Sequence, residues 1–486
     1  MQRWPRRVLR RVSIRRIRFA IAMPRMRWIW AAIFTVSKPC WGTVRLKRRW
    51  SICICNRASG MPWYRRLINC WVYLMDKSDR PGIRRQLQHA VFKPAAGQFA
   101  NSYSRKVFRQ LAECHTAQTG MHRLHCEDTN CAHERYQYHN CNNRHCPNCG
   151  GARREQWIED KAGELLPTGY YHVVFTVPHE LNGLTLGNRK AMFDLLFEAS
   201  SYTLLKLGSD PTWLGATPGI ISILHTWGQQ LSFHPHVHCI VSGGGVKNDQ
   251  WVKEKRQHHS YLFPKVVLEK VFKAYYLKRL GRMLRRGLLK VEDMSVLEAI
   301  CNDLRFKRWN VYAKRPFGGP MQVLEYLGRY THKVAITARR ILQIDEEAKS
   351  ITFSYKDYHQ RGTAEEKKEM TLSIVEFTRR FEQHILPMRY TKIRHYGYLR
   401  NYKRRERLEQ LFGSMGLPKP PPKVRIPVRQ RILERTGEDI MLCPLCRQAK
   451  MQLVATYYRG VLCKAFEEEG GGNKAPPWLA GTNEIL

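Results

Sequence analysis

Acidic side chains are scarce in this chain of 486 residues: 40 Asp and Glu stand against 83 Lys and Arg, a formal net charge of +43. An excess of that size repels itself in any compact state, so it points to a polyanionic partner, either nucleic acid or an anionic membrane surface. Long hydrophobic runs are also lacking. The apolar run Trp28–Val36 falls well short of the ~20 residues that span a bilayer. As a secretory signal it is poor, because its Arg-rich lead-in is long and no small-residue cleavage site follows. No other segment reads as transmembrane, which leaves nucleic acid as the partner. A paired disulfide framework, an internal repeat and a GxxxxGK[ST] phosphate loop are all missing, and the last absence removes the ATP-driven motor that many large DNA-processing enzymes carry.

What is present is globular in composition, 43% hydrophobic and 11% aromatic, and long enough for two to four domains. Residues 1–75 stand apart, with 18 Lys/Arg, no acid, and 7 of the 13 Trp. They read as a basic Trp/Arg-rich extension, unstructured or lying upstream of the natural start, with Met75 as a candidate initiator; a DNA-binding arm is the other reading. Residues 76–168 form a Cys-rich segment, 169–415 a run of alternating predicted strands and helices, and 416–486 a basic, Gly-rich tail beyond Lys419-Pro420-Pro421-Pro422. Apolar spacing predicts helices over Ser104–Glu113, Ala152–Leu166, Arg189–Leu207, Pro264–Leu289, Met294–Asp303 and Met321–Thr331. Strands are predicted at Tyr171–Val177, Ile220–Thr226, Val237–Val241 (ended by Gly243-Gly244-Gly245), Trp309–Ala313, Val334–Thr337 and Ile351–Tyr355. This order predicts an α+β fold with a mainly antiparallel sheet flanked by helices.

Five of the 15 cysteines fall within the 24 residues Cys126–Cys149, interleaved with His125, His133, His139 and His145. In a basic chain this density reads as Zn²⁺ binding in a reducing compartment. Two thiol pairs make a tetrahedral site: Cys126 with Cys131, and Cys146 with Cys149 in the knuckle CPNC, Cys141 being the substitute for the first pair. Arg144, Arg153 and Arg154 beside this module are candidate DNA contacts. Cys443-Pro-Leu-Cys446 is near chance frequency, a second metal clip or nothing.

His236-Val237-His238 lies in FHPHVHCIV. Residues two apart on a strand project to one face, so both imidazoles can reach one divalent ion that polarises a phosphodiester. With 19 His, one such pair is expected by chance roughly once. His225, on the preceding strand, could complete the site across the hairpin or be a hydrogen-bonded sheet histidine. Tyr326 and Tyr330 stand four apart on one face of a predicted helix, a pattern that packing also produces. As nucleophiles they would form a phosphotyrosine link that conserves bond energy. Arg329, Lys333 and Lys314 are candidates to steady the phosphate, or solvated DNA-facing groups.

The ordered set CNNRHCPNCGG, HTWGQQLSFHPHVHCIVSGGG, VYAKRPFGGP, YLGRYTHKVAI, FSYKDY, HILP and IRHYG, from about residue 84 to 415, resembles the insertion-sequence 91 family of rolling-circle transposases, which belong to the HUH endonucleases. The resemblance implies a His pair on a central strand, a nucleophile on a nearby helix, and Mg²⁺- or Mn²⁺-dependent attack on single-stranded DNA at element ends giving a 5′-phosphotyrosine. By position it implies His236 and His238 as the metal pair, His225 as the third histidine of relaxases, Tyr326 and Tyr330 as the two tyrosines, and the Cys cluster as the zinc module. Cys126 and Cys131 depart from the usual two-residue gap. The expected setting is the bacterial cytoplasm, at the nucleoid, with a homodimer compatible. The competing functions are a plasmid relaxase or replication initiator of the same superfamily, and a non-catalytic zinc DNA-binding protein.

Overall fold

In the computed structural model the chain divides into two units, Met1–Val72 and Tyr73–Leu486. The structure describes residues 41–46, 50–55, 81–149, 151–254, 262–317, 322–323, 328, 334–356, 367–420 and 425–466. In the first unit these form one antiparallel hairpin, β1 (Trp41–Leu46) against β2 (Trp50–Cys55), with Val44 opposite Ile52. The β-branched Val44, Ile52 and Ile54 in these strands suit a pleated pair.

The second unit begins with a helical run over residues 81–98 and helix α1 (Ser102–Ala112). The Asn101 side chain accepts from the N–H groups of Tyr103 and Ser104, satisfying donors that the first turn leaves over. Val107, Phe108 and Leu111 form the buried stripe of α1. Strands β3 (Met121–Cys126) and β4 (Glu134–Tyr138) and helix α2 (Gly151–Ala162) follow.

The next strands build the central sheet: β5 (Tyr170–Thr176), β6 (Thr217–Trp227), β7 (Phe233–Lys247), β8 (Gln250–Lys253), β9 (Val311–Phe317) and, from later in the chain, Ile393–Gly397. That last strand pairs with β6, and the order continues β6-β7-β5-β9 with β8 beside β7; every pairing is antiparallel. Strands β6 and β7 run longer than their apolar runs predict. Gly243-Gly244-Gly245 sits within β7 instead of ending it. A Cβ on Gly244 would stand 2.3 Å from the Trp251 ring and one on Gly245 2.7 Å from the Thr217 carbonyl, so the glycines let neighbouring groups approach the strand.

Each face of this sheet has its own cover. Val173, Phe175, Ile220, Leu224, Val237, Cys239 and Val241 pack beneath helices α3 (Arg189–Ser209), α4 (Lys265–Arg285) and α5 (Met294–Phe306). The alternate residues Tyr170, Ile221, Ile223 and Ile240 pack with Val323, Tyr398, Leu408 and Leu411. The predicted helix over Met321–Thr331 is described only at Gln322, Val323 and Gly328, which are helical.

A smaller sheet has the order β10 (Ile341–Asp345), β11 (Ser350–Lys356), β12 (Lys367–Ser373), covered by helix α6 (Ile374–Gln383). Residues 334–337, expected as a strand, are a bend whose Ala335 and Ile336 fill the same core, so apolarity here reflects burial without pairing. After β13 (the strand Ile393–Gly397) and helix α7 (Arg404–Ser414), the tail expected over 416–486 is ordered for much of its length. Helix α8 (Val428–Thr436) leads to β14 (Met451–Tyr458) and β15 (Val461–Ala465), and β14 pairs with β3 in a sheet of order β15-β14-β3-β4. The fold is α+β with antiparallel sheets, the Cys-rich segment preceding the central sheet. Among the described residues no helix is long and apolar enough to cross a membrane.

Candidate active site and metal centres

Antiparallel register brings the histidines together. His225 on β6 lies directly opposite His236 on β7, and His238 is two residues further along the same face. One ring nitrogen from each of the three comes within 4.8 Å of the others. His236 Nδ1 meets the His234 carbonyl oxygen at 2.6 Å. His225 stacks on Trp227, with centroids 4.7 Å apart. Three nitrogen donors converging from two rigid strands fit a divalent cation, and three protein donors leave coordination positions for other ligands.

A fourth histidine stands behind this trio. His172 on β5 is buried, and its Nε2 lies 2.9 Å from Nδ1 of His238. Register explains the contact: Val174 is opposite His238 and His172 opposite Ile240, a diagonal neighbour on the same face. Sequence reasoning missed His172 because it stands alone in YHVVFTV, and only the pairing of β5 with β7 reveals its partner. Lys314 lies on β9 opposite His172 in register. Tyr326, Tyr330, Arg329 and Lys333 lie outside the described residues. Their described neighbours Val323 and Gly328 bear on the same side of the sheet as the histidines. Val323 packs with Ile221, Ile223 and Ile240, and a Cβ on Gly328 would press on Ile158 of α2, itself packed in that cluster.

The cysteines form two groups of four thiols, each group within 4.8 Å of one another: Cys114, Cys141, Cys146 and Cys149, and Cys126, Cys131, Cys443 and Cys446. The predicted combination of Cys126 and Cys131 with Cys146 and Cys149 is therefore corrected: the two pairs belong to different clusters. Cys114, just past the end of α1, completes the first cluster together with Cys141, which is a member and no mere substitute. Hydrogen bonds from Cys141, Cys146 and Cys149 hold the Cys114 thiol well below the ordinary range. None of His125, His133, His139 and His145 joins either group. Sequence reasoning passed over Cys114 because it lies outside the dense window.

In the first cluster the Cys141–Cys149 and Cys114–Cys146 sulfurs are each 3.7 Å apart. A disulfide needs ~2.05 Å. Four sulfurs at ~2.3 Å from a tetrahedral zinc stand about 3.8 Å apart, so this donor set fits zinc. Arg144, in the loop carrying the knuckle, is exposed yet donates to the Tyr390 carbonyl. Arg153 and Arg154 are on α2.

Two family models match the chain. A family model described as "Putative transposase" matches residues 219–407, which hold His225, His236, His238, Tyr326 and Tyr330. A second, described as "Transposase zinc-binding domain", matches residues 84–177, which hold the first thiol cluster. The chain is 39% identical over 361 residues to "Putative transposase y4qJ" of Sinorhizobium fredii, covering 71% of this chain and 88% of that protein. It is 27% identical over 355 residues to the transposase for insertion sequence element IS801 of Pseudomonas savastanoi pv. phaseolicola, covering 69% and 80%. No solved structure matches it.

Proposed function

Because the chain belongs to the insertion-sequence 91 family of transposases, we propose that it nicks and rejoins single-stranded DNA at the ends of an insertion element through a 5′-phosphotyrosine link, in rolling-circle transposition. The convergence of His225, His236 and His238 on one face of β6 and β7 carries this reading. These three residues would hold Mn²⁺ or Mg²⁺, Mn²⁺ being the better match to imidazole donors. Such an ion, when bound, withdraws charge from a scissile phosphate.

The protein's own groups do the rest. Tyr326 or Tyr330 attacks phosphorus through its phenol oxygen. A new P–O bond to tyrosine forms as the bond to the 3′ oxygen breaks, and the phenol proton ends on the departing 3′-hydroxyl. A 3′-hydroxyl attacking the phosphotyrosine reverses the balance and frees the tyrosine, so rejoining requires no outside energy source. Two tyrosines permit two such transfers in turn. Arg329, Lys333 and Lys314 offset phosphate charge, while Arg144, Arg153, Arg154 and the zinc-binding domain hold the DNA end. The rigid strand pair fixes the imidazoles, and His172 fixes the ring of His238.

Incubation of the protein and Mn²⁺ with single-stranded oligonucleotides bearing element ends tests the reading. A covalent adduct mapping to Tyr326 or Tyr330 is expected, lost in the Tyr326→Phe plus Tyr330→Phe variant and in His236→Ala. Cleavage that survives loss of both tyrosines would overturn it. Cleavage confined to a plasmid nick site would assign the same chemistry to a relaxase.

A further inference from the structure

The second thiol cluster draws on two distant stretches of the chain: Cys126 and Cys131 fall between Cys114 and Cys141 of the first cluster, whereas Cys443 and Cys446 come some three hundred residues later. Cys126 ends β3 and Cys131 follows in the turn to β4, whereas Cys443 and Cys446 precede β14. Neither matched family region reaches Cys443 or Cys446, since one ends at residue 177 and the other at 407. Pairing of β3 with β14 sets Cys126 opposite Met451, and the backbone N–H of Glu127 donates to the Lys450 carbonyl at 2.9 Å. The knuckle itself is tied by Cys443 N–H to the Ala449 carbonyl at 2.8 Å and by Arg447 N–H to the Cys443 carbonyl at 3.0 Å.

Across the cluster the sulfurs of Cys126 and Cys446, and those of Cys131 and Cys443, are each 3.7 Å apart. That spacing is too long for a disulfide and matches the ~3.8 Å edge of a tetrahedral zinc–thiolate site. Cys126 and Cys443 are buried with Leu124, Met441 and Met451, a small core of sulfur and alkyl groups for so large a sheet. We propose that Cys126, Cys131, Cys443 and Cys446 bind a second, structural zinc ion that clasps the C-terminal strands onto the N-terminal zinc-binding domain.

Four protein thiolates close the coordination sphere, so this ion has a structural role and no open position for chemistry. The clasp joins segments separated by 312 residues and reinforces the β14–β3 ladder that brings them together. The loop it closes is long, the case in which a cross-link removes most chain entropy.

The test measures zinc and thiol reactivity in the full chain and does not depend on DNA cleavage. Expected are two zinc ions per chain by elemental analysis, and one in the Cys443→Ser plus Cys446→Ser variant. In the unsubstituted, zinc-loaded protein, Cys126, Cys131, Cys443 and Cys446 should resist alkylation together until a chelator is added. The exposed Cys463 is the internal reference for an unprotected thiol. Alkylation of Cys443 and Cys446 as fast as Cys463 would overturn the proposal, as would equal zinc content in variant and parent. Should the variant fail to fold, the alkylation pattern of the parent protein still decides.

Discussion

Replacing His172 with phenylalanine separates positioning from packing at the histidine cluster. His172 is 2% exposed, and its Nε2 lies 2.9 Å from His238 Nδ1 with the two rings nearly parallel. When Nε2 of His238 binds a metal, its proton must reside on Nδ1, and His172 Nε2 is the acceptor that fixes this tautomer and the ring orientation. Phenylalanine preserves the buried ring volume but removes this acceptor from His238 Nδ1. That loss is worth about 1–3 kcal/mol, and orienting partners of metal ligands commonly contribute ~10–100-fold in affinity. The expected result is Mn²⁺ binding weakened by about one to two orders of magnitude, read by electron paramagnetic resonance of free Mn²⁺ in a titration. His172→Gln, whose side-chain oxygen can accept, should recover part of the loss, and circular dichroism should show both variants folded. A folded His172→Phe protein with unchanged Mn²⁺ affinity would refute the positioning role.

Burial of His384 pushes its pKa down to about 4, and its nitrogens contact the Thr226 hydroxyl and the Leu231 carbonyl. Its folded pKa lies below the ~6.5 of the unfolded chain, so the associated stability is present above pH ~6.5 and is lost as pH falls toward 4, about 3 kcal/mol in all. Between pH 7.5 and 5 the parent should lose about 2 kcal/mol more than His384→Gln in urea unfolding; equal losses would count against the assignment. Phe381→Ala removes a ring 5.5 Å from Phe92 and 5.7 Å from Phe108, and should lower stability by about 3–5 kcal/mol; a loss below about 1 kcal/mol would mean the core closes over it. Gly397→Ala should cost well over the ~1 kcal/mol of an unstrained left-handed alanine, because its Cβ would stand 1.7 Å from the Pro218 carbonyl oxygen at φ +63°. An unchanged urea midpoint would contradict that geometry.

The histidine site was legible because its logic is local. His236 and His238 share a face by alternation, and a short polar connection makes β6 and β7 antiparallel neighbours, so His225 follows. His172 was hidden because the pairing of β5 with β7 spans more than sixty residues and leaves no trace in YHVVFTV. Likewise, Cys126-x4-Cys131 and Cys443-Pro-Leu-Cys446 each look incomplete, since a half-site reads as a whole site only when its partner is known to be near. The glycines at 243–245 look like a strand end in sequence, yet in the fold they admit Trp251 and Thr217. Apolar Ala335 and Ile336 fill a core without pairing, which a strand pattern cannot distinguish from a ladder.

The pairing of β3 with β14 also sets a clock. Ribosomes extend a chain at about 5–20 residues per second, so Cys131 waits roughly 15–60 s for Cys443 to be made 312 residues later. Throughout that interval one edge of β3 is an open template for any passing strand. A message cut short before the codons for β14 would release a protein with its histidine strands complete and that edge permanently bare, a product whose expected fate is aggregation or proteolysis before it meets DNA.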